Sequence, residues 1–417
     1  MKGIGIVGSG IAGLHLGLFL QKRGVQATLY SDRTPEQILA GRLPNSVARF
    51  EHTRAREREL GVSHWEFPDF EMGCVHFYLG ADPPLVFRGD LARRASFVDM
   101  RIYQARLLED FASRGGRLAI GALDAGDVER LSAEHDLMVV ASGRGSLTEM
   151  FPRRPERSPY AVPQRRLMSG LFRGVRLPEP LGISFNISPG HGEVFQAPFF
   201  SIAGRVCSIL VEAVPGGELE RIVDQRYDDD PAAFEATLLD LLGRHAPRVY
   251  ERVDPSAFQL TRPLDVLQGA VTPVVRRGYA RLENGRHVLA IGDVHVLNDP
   301  ILGQGANAAS HAAWVAGEAI AGGGPFDEAF CRQVEERIWT YARPVTEWTN
   351  AALHPPAPHV LEVFGAAAQD QAIADEIVDN FNAPARNWAI FGSPDSARAY
   401  LRARGRPPAE AAGARSS

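Results

Sequence analysis

The stretch Ile4-Gly5-Ile6-Val7-Gly8-Ser9-Gly10-Ile11-Ala12-Gly13 decides how this chain is read. The apolar run predicts a buried strand, and Gly8, Gly10 and Gly13 follow at the spacing of a tight strand-to-helix turn. Gly8 allows the turn, Gly10 lets backbone approach a pyrophosphate, and Gly13 lets the helix pack close to the sheet. A helix that starts at Ile11 and Ala12 offers free N–H groups and a favourable dipole to an anion. Ile11, Leu14 and Leu18 keep helical spacing to Lys22, Gly24 ends the helix, and Val25–Tyr30 predicts a second strand. The acidic ribose partner of a dinucleotide belongs at the end of that strand. Ser31, Asp32 and Arg33 stand there, with Asp32 as the candidate.

A second glycine motif lies far downstream. The buried-strand pattern His287–Ile291 runs into Gly292-Asp293, and Asp299-Pro300-Ile301-Leu302-Gly303-Gln304-Gly305-Ala306-Asn307 follows. A carboxylate at Asp293 suits a ribityl hydroxyl. Pro300, Gly303 and Gly305 shape a turn into a helix that begins at Ala306 and Asn307. Its N–H groups would face a flavin pyrimidine ring, where negative charge develops on reduction. Taken together and in this order, the motifs predict one FAD held at both ends. Further cofactor candidates are Arg101 and Gln104, three apart on one helical face, Gly143 after the strand pattern Asp136–Ala141, and Arg42 in the segment Gly41–Val47.

Several absences narrow the chemistry. No second Gly-x-Gly-x-x-Gly follows a strand, so a dedicated NAD(P)H domain is not expected. There is no Cys-x-x-Cys and no metal-ligand spacing, so no metal is expected; Asp228-Asp229-Asp230 before Pro231 reads as a helix cap. The only lysines are Lys2, at the start of the first strand, and Lys22, so the tunnel lysine of flavin halogenases has no counterpart.

With 417 residues, 45% hydrophobic and 23% charged, the composition is that of a soluble enzyme with two or three core-forming units. A net charge of -5 argues against nucleic acid as a partner, and no apolar run reaches a membrane span. Cys74, Cys207 and Cys331 are odd in number and far apart, which fits a reducing cytoplasm. Parallel-strand patterns at 1–31, 136–142 and 287–292 are interrupted by alternating, antiparallel ones. The expected fold is α/β. A discontinuous Rossmann-like FAD-binding domain of flavoprotein hydroxylase type (1–45, 96–162 and 264–325) carries an inserted mixed, largely antiparallel β-sheet substrate domain (46–95 and 163–263). A C-terminal helical region (326–401) and a loose tail (402–417) complete it.

Across nearly the whole chain, Ile4–Leu20, Asn45–Ala48, Gly89–Leu91, Val98–Gln104, Ser188–Glu193 (SPGHGE), Tyr227–Pro231, Leu264–Gly269, Asp299–Asn307 (DPILGQGAN) and Asp379–Asn382 resemble the oxygenase component of styrene monooxygenases. This is the styrene/indole group of two-component flavoprotein monooxygenases. The resemblance implies that FADH2 arrives from a separate NADH-dependent flavin reductase. It implies reaction of that FADH2 with O2 to a C4a-hydroperoxide, which epoxidises styrene- or indole-like aromatic alkenes and sulfoxidises aryl thioethers. A homodimer is what the family suggests. Such chemistry needs no acid–base residue, only a dry apolar pocket that holds the alkene.

The candidate lining is Val47, Met72, Val75, Phe77, Phe199, Phe200 and Ile301, with Asn45 and Arg42 at the flavin or peroxide edge. Asn45 and Val47 resemble the styrene branch. Ala95 is what the indole branch would show, Met72 and Val75 are not styrene-type, and Arg49 replaces the histidine of the styrene pattern. A pocket-facing Arg49 would favour a carboxylated or otherwise polar substrate. Two other readings remain: a flavin hydroxylase or oxidase with an unrelated aromatic substrate, and a flavin-binding protein without turnover.

Overall fold

Ile4–Val7 is buried at every position and sits inside a six-stranded sheet, pairing in parallel with Ala27–Ser31 on one side and Leu137–Val140 on the other. Arg117–Ile120 extends the first side, His287–Ala290 extends the second, and Tyr279–Arg281 closes that edge antiparallel. Short, wholly apolar strands are what a parallel sheet covered on both faces requires. The computed structural model that shows this describes residues 3–143 and 145–406. The helix Ile11–Lys22 covers one face and packs on the helix Gly305–Ala321. Their contact is close because Gly317 has no side chain; a Cβ there would lie 2.5 Å from the Phe19 ring.

The second sheet has nine strands and gathers both inserted segments. Its path runs Gln259–Leu260, Arg166–Arg173, Gly204–Ala213, Gly192–Ser201, Ile183–Ser188, Met72–Leu79, Leu85–Phe97, Ala48–Arg49, with Val266–Ala270 also on Arg166–Arg173. All pairs are antiparallel except Met72–Leu79 with Ile183–Ser188, which is parallel and joins the two segments. The mixed, largely antiparallel sheet is thus as expected. Val266–Ala270 differs from the expected boundary at 264, because it is stitched into this sheet rather than the parallel one.

Arg117–Ile120 is a strand that the sequence reading missed. It lies at a sheet edge with no buried position, so its apolar signal is weak. Asp230 caps the helix Pro231–His245 by accepting from the Ala233 N–H at 2.9 Å, as its place before Pro231 suggests. The expected C-terminal helices run Glu328–Ala352, Pro358–Ala367 and Gln371–Asp379, and two more follow, Pro384–Phe391 and Pro394–Ala403. The last takes in the start of the expected loose tail; 407–417 lie outside the described residues, as does Lys2.

These helices are docked on the face of the second sheet that carries Val75 and Phe77. Gln371–Asp379 crosses Leu85–Phe97 so closely at Gly89 that a Cβ would sit 2.2 Å from the Ala374 carbonyl oxygen. Gly89→Ala should therefore lower stability by about 1–3 kcal/mol, the usual cost of overpacking against backbone. Urea unfolding of the two proteins side by side measures it, and equal midpoints would contradict the close docking.

Candidate functional site

The first glycine turn is built as its spacing demands. Gly8 has φ +113°, and a Cβ would meet the Ala141 carbonyl carbon and the Ser142 nitrogen, each at 2.9 Å. At Gly13 a Cβ would lie 1.9 Å from the Gly8 oxygen, so the helix can start here only on glycine. Gly10 is different: nothing lies within 4 Å of its virtual Cβ, and no side chain caps the helix it begins. Ile11 and Ala12 therefore open a helix whose first N–H groups look into free space. Ser31 Oγ lies 2.9 Å from Ser9 Oγ and donates to the Arg33 carbonyl at 2.7 Å, which fixes the end of the second strand beside this turn. Asp32 keeps a largely exposed carboxylate there, 3.6 Å from Arg33 Nε.

The second motif closes onto the first. Gly292 has φ +68°, and its virtual Cβ is 2.9 Å from Ala12 Cβ; that of Gly143 is 2.5 Å from Asp293 Cβ. Asp293 therefore stands over the strand end that Gly8 also touches. Further on, Asp299 Oδ1 accepts from the Ile301 N–H at 3.1 Å, Gly303 turns at φ +63°, and Gly305 begins the helix with no side-chain cap and open space beside it. Asn45 Oδ1 is buried without a hydrogen-bond partner, and Gln104 is half-buried. Two uncapped helix starts, the bare approach at Gly10 and an orphaned amide oxygen fit a ligand with a diphosphate at one end and a polar ring at the other. FAD has that form.

An apolar pocket adjoins the second motif. Pro300, Ile301, Leu302 and Gly303 form one wall, and Met72 and Val75 lie on the sheet that forms another. Met72, Val75 and Ile301 are thus brought together at one cavity. The other expected residues are not. Val47 and Phe200 pack toward the first sheet's core, Phe77 stacks on Phe87 at 4.7 Å, and Ala95 and Phe199 are fully buried. Much of the lining was missed: Phe97, Phe185, Phe195, Ala197 and Leu210, with Phe50 and Phe381 near the loop and Ser46 and Ser208 as the hydroxyls. Strand register brings these together, and register leaves no local mark in the sequence.

Comparison with known proteins agrees with this geometry. A family model for the styrene monooxygenase A substrate binding domain matches residues 143–252. Styrene monooxygenase StyA from a Pseudomonas species is 41% identical over 398 residues, 94% of this chain and 96% of that protein. The chain belongs to the styrene monooxygenase family. In fold, this styrene monooxygenase family member is also similar to a triple mutant of the flavin-dependent brominase Bmp2 (TM-score 0.69, 16% identity, 97% and 99% of the two chains). PqsL from Pseudomonas aeruginosa shares the fold as well, with TM-score 0.60, 13% identity and 90% and 98% coverage.

The remaining expected site residues of this styrene monooxygenase relative are held elsewhere. Arg42 donates to Asp228 at 3.0 Å and to the carbonyls of Pro263 and Val266, tying its loop to the second sheet rather than reaching a flavin edge. Arg101 is 1% exposed and clamped between Asp99 and Asp265, so its guanidinium does not point at a cofactor. The Asn307 side chain donates to the Ala48 and Gly303 carbonyls and accepts from Phe50 N–H and Thr53 Oγ1; only its backbone and that of Ala306 remain for a ligand.

Arg49 also departs from expectation. It is ion-paired with Glu57, donates to Ser96 Oγ at 3.0 Å, and lies over Tyr103 and Trp65, away from the pocket. Tyr103 donates to Glu57 at 2.9 Å and accepts from His15 Nε2 at 2.6 Å. Burial, then Arg56 and Arg49, push His15 down to about 3, so it is neutral in this network.

Among the described residues His191, Glu218 and His245 are also grouped, but internal partners occupy them. Glu218 N–H donates to His191 Nδ1, and Arg244 donates to both Glu218 oxygens.

Removing Arg49 strands a buried carboxylate. Arg49→Ala should cost about 3–5 kcal/mol of stability. Among substrates that still turn over, the ranking of acidic against neutral alkenes should not change. A changed ranking at unchanged stability would return Arg49 to the pocket.

Proposed function

We propose that this protein is an FAD-dependent monooxygenase that epoxidises neutral, styrene-like aromatic alkenes and sulfoxidises aryl thioethers. It uses O2 and FADH2 supplied by a separate NADH-dependent flavin reductase in the cytoplasm. Bound FADH2 supplies the reducing power that activates O2; the protein's own residues bind, orient and keep water out.

One observation carries the substrate class: among the described residues, the lining of the pocket against the Pro300–Gly303 loop has no charged residue. Among the described residues its hydroxyls are those of Ser46 and Ser208, and Ser46 Oγ is already 2.8 Å from Ser169 Oγ. Aromatic walls such as Phe97, Phe185 and Phe195 suit an aryl ring, and a small apolar space limits the water that would divert activated oxygen. Backbone N–H groups at Gly305 and Ala306, at an uncapped helix start, would meet negative charge on a flavin ring. Asn45 Oδ1 is free to accept from that ring's edge.

The test uses FAD, NADH and a generic flavin reductase with a panel of styrene, indole, methyl phenyl sulfide and 4-vinylbenzoate. Styrene oxide and the sulfoxide should form, seen by chiral chromatography. The carboxylate analogue should react at least about tenfold more slowly than styrene, because an unpaired charge cannot enter such a pocket cheaply. NADH consumption without the reductase, or preference for 4-vinylbenzoate, would overturn the reading.

A further inference from the structure

The sheet face that lines the pocket continues past it. In strand Gly204–Ala213, Ser208 and Leu210 face the pocket opposite Ala197 and Phe195. Two residues on, the same face carries Glu212, directly opposite Glu193. Glu212 is 0% exposed, Glu193 5% and Asp299 1%. Asp299 enters from the loop whose next four residues are the pocket wall.

Three carboxyls thus surround one guanidinium, that of Arg165, and Glu212 and Asp299 lie within hydrogen-bonding reach of each other. Arg165 donates to both Glu193 oxygens, at 2.7 and 2.9 Å, and those two charges balance. Tyr160 stands near Asp299 with its own hydroxyl donated to the Asn350 carbonyl. Asp299 Oδ1 is held by the Ile301 N–H, but Asp299 Oδ2 and both Glu212 oxygens have no other donor among the described residues. Two bare carboxylates side by side in a dry interior are far less favourable than a pair that shares one proton.

We propose that Glu212 is a neutral carboxylic acid that donates its proton to Asp299, and that this shared proton fixes the 299–303 loop between the pocket and the helix at Gly305. Glu212 is then a positioning residue that acts through Asp299. Burial first, then the Asp299 charge, raises the Glu212 carboxyl well above the usual range; Glu193 adds to this and Arg165 opposes it. Burial likewise raises Asp299.

The sign of the pH effect follows. Above the ordinary glutamate value and below the raised one, native Glu212 holds a proton that the unfolded chain has released. Stability therefore falls as pH rises through that window. Deprotonation leaves two repelling charges behind Pro300 and loosens the loop.

The full chain and its Glu212→Gln variant, which keeps a donor but cannot ionise, provide the test. Without flavin, the wild type should show a protonated-carboxyl C=O stretch in the infrared at neutral pH, and Glu212→Gln should lose it. The melting temperature of the wild type should fall more steeply between pH 6 and 9 than that of the variant. No such band in the wild type, the same band in both proteins, or parallel pH slopes would overturn the proton assignment.

The effect on cofactor binding rests on the flavin reading above and has its own arm. Wild-type affinity for FAD should weaken about tenfold or more on going alkaline, a loss of about 1.4 kcal/mol, while that of Glu212→Gln stays within about twofold. If both bind FAD with the same pH profile, the loop-positioning half fails. If neither binds FAD, the flavin reading fails and the infrared result still decides the proton.

Discussion

The approach of the Gly13 Cα to the Gly8 carbonyl is the constraint on which the rest of the site depends. No other residue type can stand at Gly13, since a Cβ would lie 1.9 Å from that oxygen. The contact sets the start of the helix Ile11–Lys22 at the end of the central strand. From that helix Ala12 reaches Gly292, and through Gly292 the second motif is located. The uncapped start of the later helix at Gly305 is in turn fixed by its packing against the first, at Phe19 and Gly317. Two stretches from opposite ends of the chain are held as one surface by small residues that permit close backbone contact.

What was legible in the sequence follows from range. The glycine turns, the buried strands Leu137–Val140 and His287–Ala290, and the cap at Asp230 are local patterns, and they were read correctly. The edge strand Arg117–Ile120 was not, because an edge strand with half-exposed side chains has little apolar signature. The arginines misled for a different reason. Arg42, Arg49 and Arg101 stand in motif-like segments, but their partners are Asp228, Glu57 and Asp265, and only the fold brings those carboxylates to them. Arginine near a glycine motif invites a phosphate-binding reading, and nothing in a single sequence reveals that the charge is already neutralised.

The pocket shows the same limit in apolar form. Met72, Val75 and Ile301 line the cavity, while Phe77, which sits on the same strand as Met72 and Val75, belongs to an aromatic cluster with Phe87 and Phe364. The far wall comes from strands Gly192–Ser201 and Gly204–Ala213, where the pairing of Phe195 with Leu210 and Ala197 with Ser208 decides which side chains face inward. The outcome is a division of labour. Charges are kept in buried pairs such as Arg49–Glu57 and Arg165–Glu193, and the described lining of the pocket is neutral.

The parallel seam between Met72–Leu79 and Ile183–Ser188 also bears on how the polypeptide is made. Val75 has to wait for Ile183 to be synthesised, so the early hairpin emerges from the ribosome with one edge unpaired. Non-local pairing of this kind slows folding and leaves a sticky edge open for longer. The same wait applies to the parallel sheet, where Ile4 pairs with Leu137 and Met138 with Val288, so both sheets close only after distant segments have been synthesised.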